Sequence, residues 1–335
     1  MPNLDQMTND ELLNMRFCDL DLHITGTWIE TCIEQLRSEL TLHNISFHPT
    51  CFLADEWLCP DNEPVVGIAF FLAHPRLCKL EKEMMLEAEG GTKASCMQLL
   101  RHETGHALNY AYGLYRRKKW RKIFGPFSKE YPDRYRYQPY SKRYVRHLDD
   151  WYAQYHPDED FAETFAVWLD PKSDWRNRYA RWKAIEKLEY VDDIARDITG
   201  KPPIKNEGVR YWDVASMKTT LRTYYKRKQR FYAEDYPDFH DFHLRDMFPM
   251  PPGDETIPAH KIIQNHRRQI LQYVASCSRE KKYVVAGLLK DLSSRCRNLN
   301  LYAVDNADAT MRLAVYVTAL TMNYSYTGSF RKNKK

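Results

Sequence analysis

Residues 102–106 read His102-Glu103-Thr104-Gly105-His106, and this pentapeptide guides the interpretation of the rest of the chain. Two histidines four positions apart lie on the same face of a helix, one turn above the other. Their ring nitrogens can enter one tetrahedral zinc shell at about 2.0–2.1 Å from the ion. The Glu103 carboxylate can reach a water at that ion without being a ligand, and can act there as a general base. The motif predicts a zinc site; the alternative is a buried helix with two hydrogen-bonded histidines.

The residues around the motif predict a helix over 92–112. Thr92 or Ser95 can cap its start, and Gly113 stands where a left-handed residue commonly ends a helix. A mostly apolar stripe recurs at helical spacing and consists of Met97, Leu100, Thr104, Leu108 and Ala111. Because the two histidines lie to one side of this stripe, the helix can be anchored in a core while they face a cleft.

A catalytic zinc site needs a third protein ligand and an open fourth position. Residues 152–169 offer one, because Pro157 suits the first turn of a helix and Glu159 and Glu163 lie four apart on one face. One carboxylate can bind the metal while the other accepts the free ring N–H of a ligand histidine. The alternative is an acidic first turn that complements the helix dipole. That interpretation accounts for Asp158, but not for a carboxylate between phenylalanines.

The two motifs together resemble a bacterial family of zinc-binding metallopeptidases of the gluzincin type. The matching segments are Glu89-Gly-Gly-Thr92, Leu100-Arg-His-Glu-Thr-Gly-His106 and Tyr152-Ala-Gln-Tyr-His-Pro-Asp-Glu-Asp-Phe-Ala-Glu163. The likeness extends from about residue 16 to the C-terminus. This chain lacks the Cys-rich N-terminal zinc ribbon common in such relatives, and it has Asp158 where a tryptophan is common.

The resemblance implies a role for each site residue. The ligands of one zinc ion per chain would be His102, His106 and Glu159. Glu103 would be the general base, and Glu163 would support a ligand histidine from behind. Tyr152 would face the substrate oxyanion.

The expected fold class is α+β and helix-rich. It would contain a zincin-like catalytic domain with a small N-terminal sheet and an active-site helix, followed by a mainly helical C-terminal part. The predicted divisions are a metallopeptidase domain at 1–235 with a basic insert at 112–148, a proline-rich linker at 236–257, a helical subdomain at 258–330 and a disordered tail at 331–335.

Apolar periodicity predicts the individual elements. Strands are expected at 45–53 and 65–72, and helices at 24–42, 173–198, 215–233, 258–276, 280–294 and 305–323. By the resemblance, strand 65–72 would be an edge strand that pairs with an extended substrate. A buried central strand explains its apolar residues equally well.

The segment between the two motifs, residues 112–148, is strongly basic. It carries twelve Lys and Arg against Glu130 and Asp133, with aromatic residues interleaved, although the whole chain has a net charge of only +5. Near an active site this excess would attract an acidic substrate. The alternatives are a solvated surface, where aromatics pack under long basic side chains, and a nucleic-acid surface. No helix-turn-helix, RNA-binding or zinc-finger signature supports the last one.

Composition favours a cytoplasmic protein without a membrane partner. The chain has 335 residues with 43% hydrophobic residues, enough for a real core. Its start lacks the basic and apolar regions of a secretory signal, and no apolar run approaches the roughly 20 residues of a membrane span. The eight cysteines are scattered and form no Cys-x-x-Cys pair, as is typical of reduced thiols.

The sequence therefore predicts a zinc-dependent hydrolase that acts on a peptide or protein substrate. One alternative is a nucleic-acid-associated protein or protease that uses the basic insert. Another is a non-catalytic interaction protein in which zinc only holds two subdomains together. Glu103 counts against the latter, because a structural site needs no base beside its ligands.

Overall fold

The computed structural model describes residues 3–132, 138, 141–231 and 240–327, which fall into two compact units. The first unit comprises 3–84, 88–132, 138 and 141–224, and the second comprises 85–87, 225–231 and 240–327. The predicted disordered tail at 331–335 lies outside the described residues, as do 133–137 and 139–140 of the basic insert.

The described part of the chain is mostly helical with little sheet, so the helix-rich α+β class is confirmed. The helices are α1 (Asn9–Asn14), α2 (Trp28–Leu42), α3 (Pro75–Met85), α4 (Lys93–Ala111), α5 (Lys118–Ile123), α6 (Pro157–Leu169), α7 (Trp175–Arg178), α8 (Ile185–Ile198), α9 (Leu221–Phe231), α10 (Asp241–Met247), α11 (Ala259–Ser278), α12 (Lys282–Asn298) and α13 (Ala307–Thr327). Short 3₁₀ helices lie at Leu4–Gln6, Phe17–Asp19, Phe70–Ala73, Leu114–Arg116 and Asp149–Gln154.

The strands are β1 (Thr50–Ala54), β2 (Val65–Ala69), β3 (Ile257–Pro258) and β4 (Tyr302–Ala303). In the first unit β1 pairs with β2 in parallel, and in the second unit β3 pairs with β4 in antiparallel fashion. Every residue of β2 is buried. Gly67 in β2 also exchanges both backbone hydrogen bonds with Leu58, at 2.8 and 3.2 Å. Strand β2 is therefore buried, and its side away from β1 is bridged at Gly67 by Leu58, whereas the pairing of 65–72 with an extended substrate stays a prediction.

Helix α4 has the predicted start and end. The Thr92 hydroxyl accepts a hydrogen bond from Ser95 N at 3.2 Å, and Ser95 Oγ accepts one from Thr92 N at 3.1 Å. This reciprocal cap satisfies two backbone donors that the first turn leaves unpaired. Beyond the helix, Gly113 adopts the left-handed φ of +57°. The prediction of a helix over 92–112 is confirmed, with α4 itself spanning Lys93–Ala111.

The structure differs from the helix predictions in several places, since the helices expected at 24–42 and 215–233 begin later, at Trp28 and Leu221. The single helix expected at 173–198 is divided into α7 and α8. Tyr179 lies between them, is buried, and accepts a hydrogen bond from Arg146 N through its hydroxyl at 3.0 Å. Helix α3 was missed from the sequence, although Pro75 at its first position is typical of a helix start.

The second unit has its own apolar core, formed by α10 to α13. Its most buried members include Leu244, Ile262, Val285, Leu288, Leu289, Leu292, Leu313 and Val317. Helix α10 occupies part of the segment interpreted as a proline-rich linker, and Leu244 of that helix is completely buried. None of the helices in the described residues has the length and apolarity that crossing a bilayer requires.

A buried ion pair joins α2 to α4 in the first unit. The Arg101 guanidinium donates to both Glu39 oxygens at 2.8 Å, and its remaining nitrogen lies 3.3 Å from Asp170 Oδ2. Glu39 and Arg101 are 4% and 7% exposed, so neither charge has water to compensate for a lost partner. The ion pair therefore holds α4 in place at Arg101, the residue that precedes His102.

We expect Arg101→Met to lower the free energy of unfolding by about 3–5 kcal/mol, because Glu39 would remain buried without its counter-charge. Urea denaturation measures this loss. The double variant Glu39→Leu/Arg101→Met is the matched control and should lose less than the single variant, since both charges leave together. A loss below about 1 kcal/mol for Arg101→Met would contradict this account.

Candidate metal centre

Helices α4 and α6 are in close contact at Gly105. A Cβ built on Gly105 would lie 2.7 Å from Ala162 Cα and 3.1 Å from the Ala162 carbonyl oxygen. No side chain fits at these distances, so glycine allows the two backbones to touch. This contact sets the acidic face of α6 directly opposite the histidines of α4.

The two ring nitrogens of α4 and one carboxylate oxygen of α6 form a nearly equilateral triangle. His102 Nε2, His106 Nε2 and Glu159 Oε2 are each 3.2 Å from the other two. Ligands about 2.0–2.1 Å from a tetrahedral zinc ion lie roughly 3.3–3.4 Å apart. Three donors at this spacing, two imidazoles and a carboxylate, fit one such metal ion. Within the described residues, this group is the one in which three potential ligands converge.

The triangle is buried and its charges are tightly coupled. His102, His106 and Glu159 are 3%, 6% and 6% exposed. Burial by itself would lower the pKa of His102, but hydrogen bonds to Glu159 and Glu163 outweigh burial and raise the pKa to about 10. Burial by itself would raise the pKa of Glu159, but the two histidines hold this pKa well below its usual value. The site thus retains positive charge among buried carboxylates, and a divalent cation can replace the ring protons.

A second carboxylate orients each histidine from behind. His102 Nδ1 is 2.9 Å from Glu163 Oε1, and His106 Nδ1 is 2.9 Å from Asp158 Oδ2. A ring that donates through Nδ1 leaves Nε2 free for a metal, so both carboxylates select the tautomer that a ligand needs. Glu163 therefore contacts the ring nitrogen of His102 that faces away from the triangle, the kind of contact predicted for it from the sequence.

Asp158 has a larger role than the sequence indicated. Besides His106, it accepts hydrogen bonds from Asn109 Nδ2 at 2.7 Å and from the Tyr110 hydroxyl at 2.5 Å, and it is 2% exposed. Its interpretation as an acid that only complements the helix dipole is incomplete. The spacing of the acids along the sequence was a signal for this role. Because α4 and α6 run in opposite directions, an acid before Glu159 and an acid after it can each reach one histidine.

Tyr131 is a second residue that the sequence did not indicate. Its hydroxyl donates to Glu159 Oε1 at 3.0 Å, while the other oxygen of that carboxylate belongs to the donor triangle. Its ring stacks on His156 with centroids 4.0 Å apart. His156 in turn caps α6 by accepting from Asp158 N at 3.1 Å. This stack holds the tyrosine at the Glu159 carboxylate.

Glu103 lies beside the triangle without belonging to it. It is 8% exposed, and no described residue forms a hydrogen bond with its carboxylate. Burial raises its pKa, although the two histidines pull the pKa in the opposite direction. A carboxylate with a raised pKa and free oxygens is suited to accept and return a proton.

The ring of Tyr152 is adjacent to His102, with centroids 5.6 Å apart. Burial and the nearby carboxylates of Glu159 and Glu103 raise the pKa of this tyrosine. Its hydroxyl is therefore protonated at neutral pH and can donate a hydrogen bond. The assignment of Tyr152 to a substrate oxyanion stays a prediction.

A short segment at the end of the basic insert contacts the metal centre. We call residues 146–148 the strap. Gln98 Nε2 donates to the His147 carbonyl, and the Gln98 carbonyl lies 2.9 Å from His147 Nε2. Leu148 N donates to Glu163 Oε2 at 3.0 Å. The strap therefore binds Oε2 of Glu163, whose Oε1 orients His102.

Part of the basic insert is neutralised by acids of α8. Arg117 lies 2.6 Å from Asp197 and Lys119 lies 3.3 Å from Asp193. These pairs reduce the charge that this part of the insert can offer to an acidic substrate, so attraction of such a substrate stays a prediction.

We expect Asp158→Asn and Glu163→Gln each to weaken metal binding by about 10–100-fold, because each amide accepts less strongly from a ligand histidine. Competition with a chromogenic chelator measures the metal dissociation constant. Asp174→Asn, an exposed acid beyond α6, serves as the control and should leave the constant unchanged. Unchanged affinity in Asp158→Asn would remove that residue from the metal centre.

Comparison with known proteins gives no match: no family model fits this chain, and neither the curated proteins nor the solved structures include a similar one. The function is therefore inferred from the residues of the site.

Proposed function

We propose that this protein is a zinc-dependent hydrolase of peptide or amide bonds whose first unit is a zincin-like catalytic domain. The observation that carries the proposal is the 3.2 Å triangle of His102, His106 and Glu159 with Glu103 free beside it. Two imidazoles and one carboxylate are typical ligands of catalytic zinc, which keeps its fourth position open. A structural zinc site usually has a fourth protein ligand, and no fourth ligand joins the group in the described part of the chain.

The bound ion would supply Lewis-acid polarisation of the scissile carbonyl and a lowered pKa for the attacking water. Glu103 would take the proton of that water and deliver it to the leaving amine. Tyr152 would donate its hydroxyl hydrogen to the developing negative charge on the carbonyl oxygen. Glu163 and Asp158 would keep both histidines in the tautomer that binds metal.

The substrate class that this chemistry favours is a peptide or protein. The test begins with metal analysis of the purified protein, for which one zinc per chain is expected. A synthetic peptide library is then incubated with the protein and read by mass spectrometry. Cleavage should stop when a chelator removes the metal and return when zinc is added. A protein that holds one zinc but cleaves no peptide in the library would overturn the proposed hydrolysis and leave only the metal site.

A further inference from the structure

A cavity of about 730 Å³ lies in the first unit, and its lining includes Arg146 and His147 of the strap but no residue of the donor triangle. Its walls come from the N-terminal half of α4, the end of α6, the residues that follow α6 and the strap itself. A cavity of this volume is within the range of small-molecule sites. Its lining residues are Gln35, Lys93, Ala94, Met97, Gln98, Arg101, Arg146, His147, Val167, Asp170, Pro171, Lys172, Ser173 and Arg178.

The charge of this lining is strongly unbalanced. Five of the lining side chains are basic, namely Lys93, Arg101, Arg146, Lys172 and Arg178, and one is acidic, Asp170. That single carboxylate already lies 3.3 Å from Arg101, which is also bound to Glu39. No described carboxylate forms an ion pair with Lys93, Lys172 or Arg178. The like charges of Lys93, Lys172 and Arg178 attract an anion, because the anion relieves their mutual repulsion.

Two further features point in the same direction. The cavity includes Lys93 and Ala94 at the start of the 19-residue helix α4, whose first turn contains no acidic residue. The positive end of the helix dipole is thus without a compensating negative charge. Ser173 is another lining residue, and its hydroxyl has no hydrogen-bond partner among the described residues.

The guanidinium of Arg146 lies between two indole rings, 5.2 Å from the centroid of Trp182 and 5.5 Å from that of Trp151. This stacking fixes a cationic group at the wall of the cavity. The lining also contains the apolar side chains of Ala94, Met97, Val167 and Pro171. The combination suits a small anion with two or more negative charges.

We propose that this cavity is a binding site for a small multivalent anion, of the phosphate or polycarboxylate class, distinct from the metal centre. The site does not depend on the proposed hydrolysis, because none of its residues belongs to the donor triangle. Phosphate and polycarboxylate oxygens present the same chemistry to Arg and Lys, so direct binding must distinguish them.

The test uses inorganic phosphate and propane-1,2,3-tricarboxylate as probes at low ionic strength. The readout is tryptophan fluorescence, because Trp151 and Trp182 flank Arg146. We expect saturable binding of at least one probe by the wild type, and a dissociation constant at least about tenfold weaker in Lys172→Ala/Arg178→Ala. The difference should shrink as salt is raised, since exposed charges are screened.

The matched control is Lys261→Ala/Arg267→Ala, which removes two exposed basic residues from α11. Metal content and melting temperature are measured for all three proteins, so that a change in folding or in the metal centre is seen separately. Absence of saturable binding of both probes to the wild type would overturn the proposal. Equal affinity in the cavity variant and the control would do so too, because binding would then be nonspecific.

Discussion

In the Glu103→Gln variant we expect metal content to stay at the wild-type level while turnover falls by about 10²–10⁴-fold, the usual contribution of a general base. Glutamine has the shape of glutamate and the donor triangle does not include residue 103, so the ligands should keep their positions. The amide, however, cannot take a proton from water. Peptide cleavage by mass spectrometry and metal analysis of the same preparation measure both quantities.

The control for this variant is Glu34→Gln, which makes the same change at an exposed position of α2. It should keep both metal and turnover. A near-normal rate for Glu103→Gln would refute the proposed role of this carboxylate, whereas loss of metal would show that it supports the ligands instead.

Gly105→Ala should abolish or severely weaken metal binding, although residue 105 is not a ligand. The added methyl carbon would lie 2.7 Å from Ala162 Cα, so α4 and α6 must move apart. Overpacking of this kind lowers stability by about 1–3 kcal/mol. Separation also withdraws Glu159 from both histidines, so we expect a loss of metal affinity above the roughly 100-fold upper limit for Glu163→Gln.

Gly287→Ala is the matched control, because Gly287 also lies inside a helix but has no atom within 4 Å of the added carbon. That change should leave metal affinity unaltered and stabilise the protein by roughly 0.5–1 kcal/mol. Equilibrium dialysis and thermal unfolding measure the two effects. If Gly105→Ala kept its metal and its melting temperature, the close helix contact would not be what aligns the ligands.

The sequence predicted the parts of this molecule that depend on local spacing. The interval between His102 and His106 follows from the helical period, and the caps of α4 follow from Thr92 and Gly113. The residues that it proposed as ligands come together in the structure, and Glu163 contacts His102. Each of these features depends on the spacing of residues along one helix, or on two helices whose apolar sides pack against each other.

Contacts between distant segments could not be predicted in the same way. Tyr131 reaches Glu159 across 28 positions, and nothing in its neighbourhood marks it as different from the other tyrosines of the basic insert. The bridge between Leu58 and Gly67 beside β2 is a contact that apolar periodicity does not specify. The helix break after α7 coincides with the contact of Tyr179 with Arg146, a tertiary contact that local helix propensity does not specify.

The strap has a thermodynamic consequence for the two sites on its sides. It presents Arg146 to the cationic cavity and Leu148 to the carboxylate that orients His102. If occupancy of the cavity changes the affinity for metal by some factor, metal must change the affinity for the anion by the same factor, since the coupling free energy is reciprocal. Metal dissociation constants with and without phosphate, and phosphate dissociation constants with and without metal, should therefore close a thermodynamic cycle.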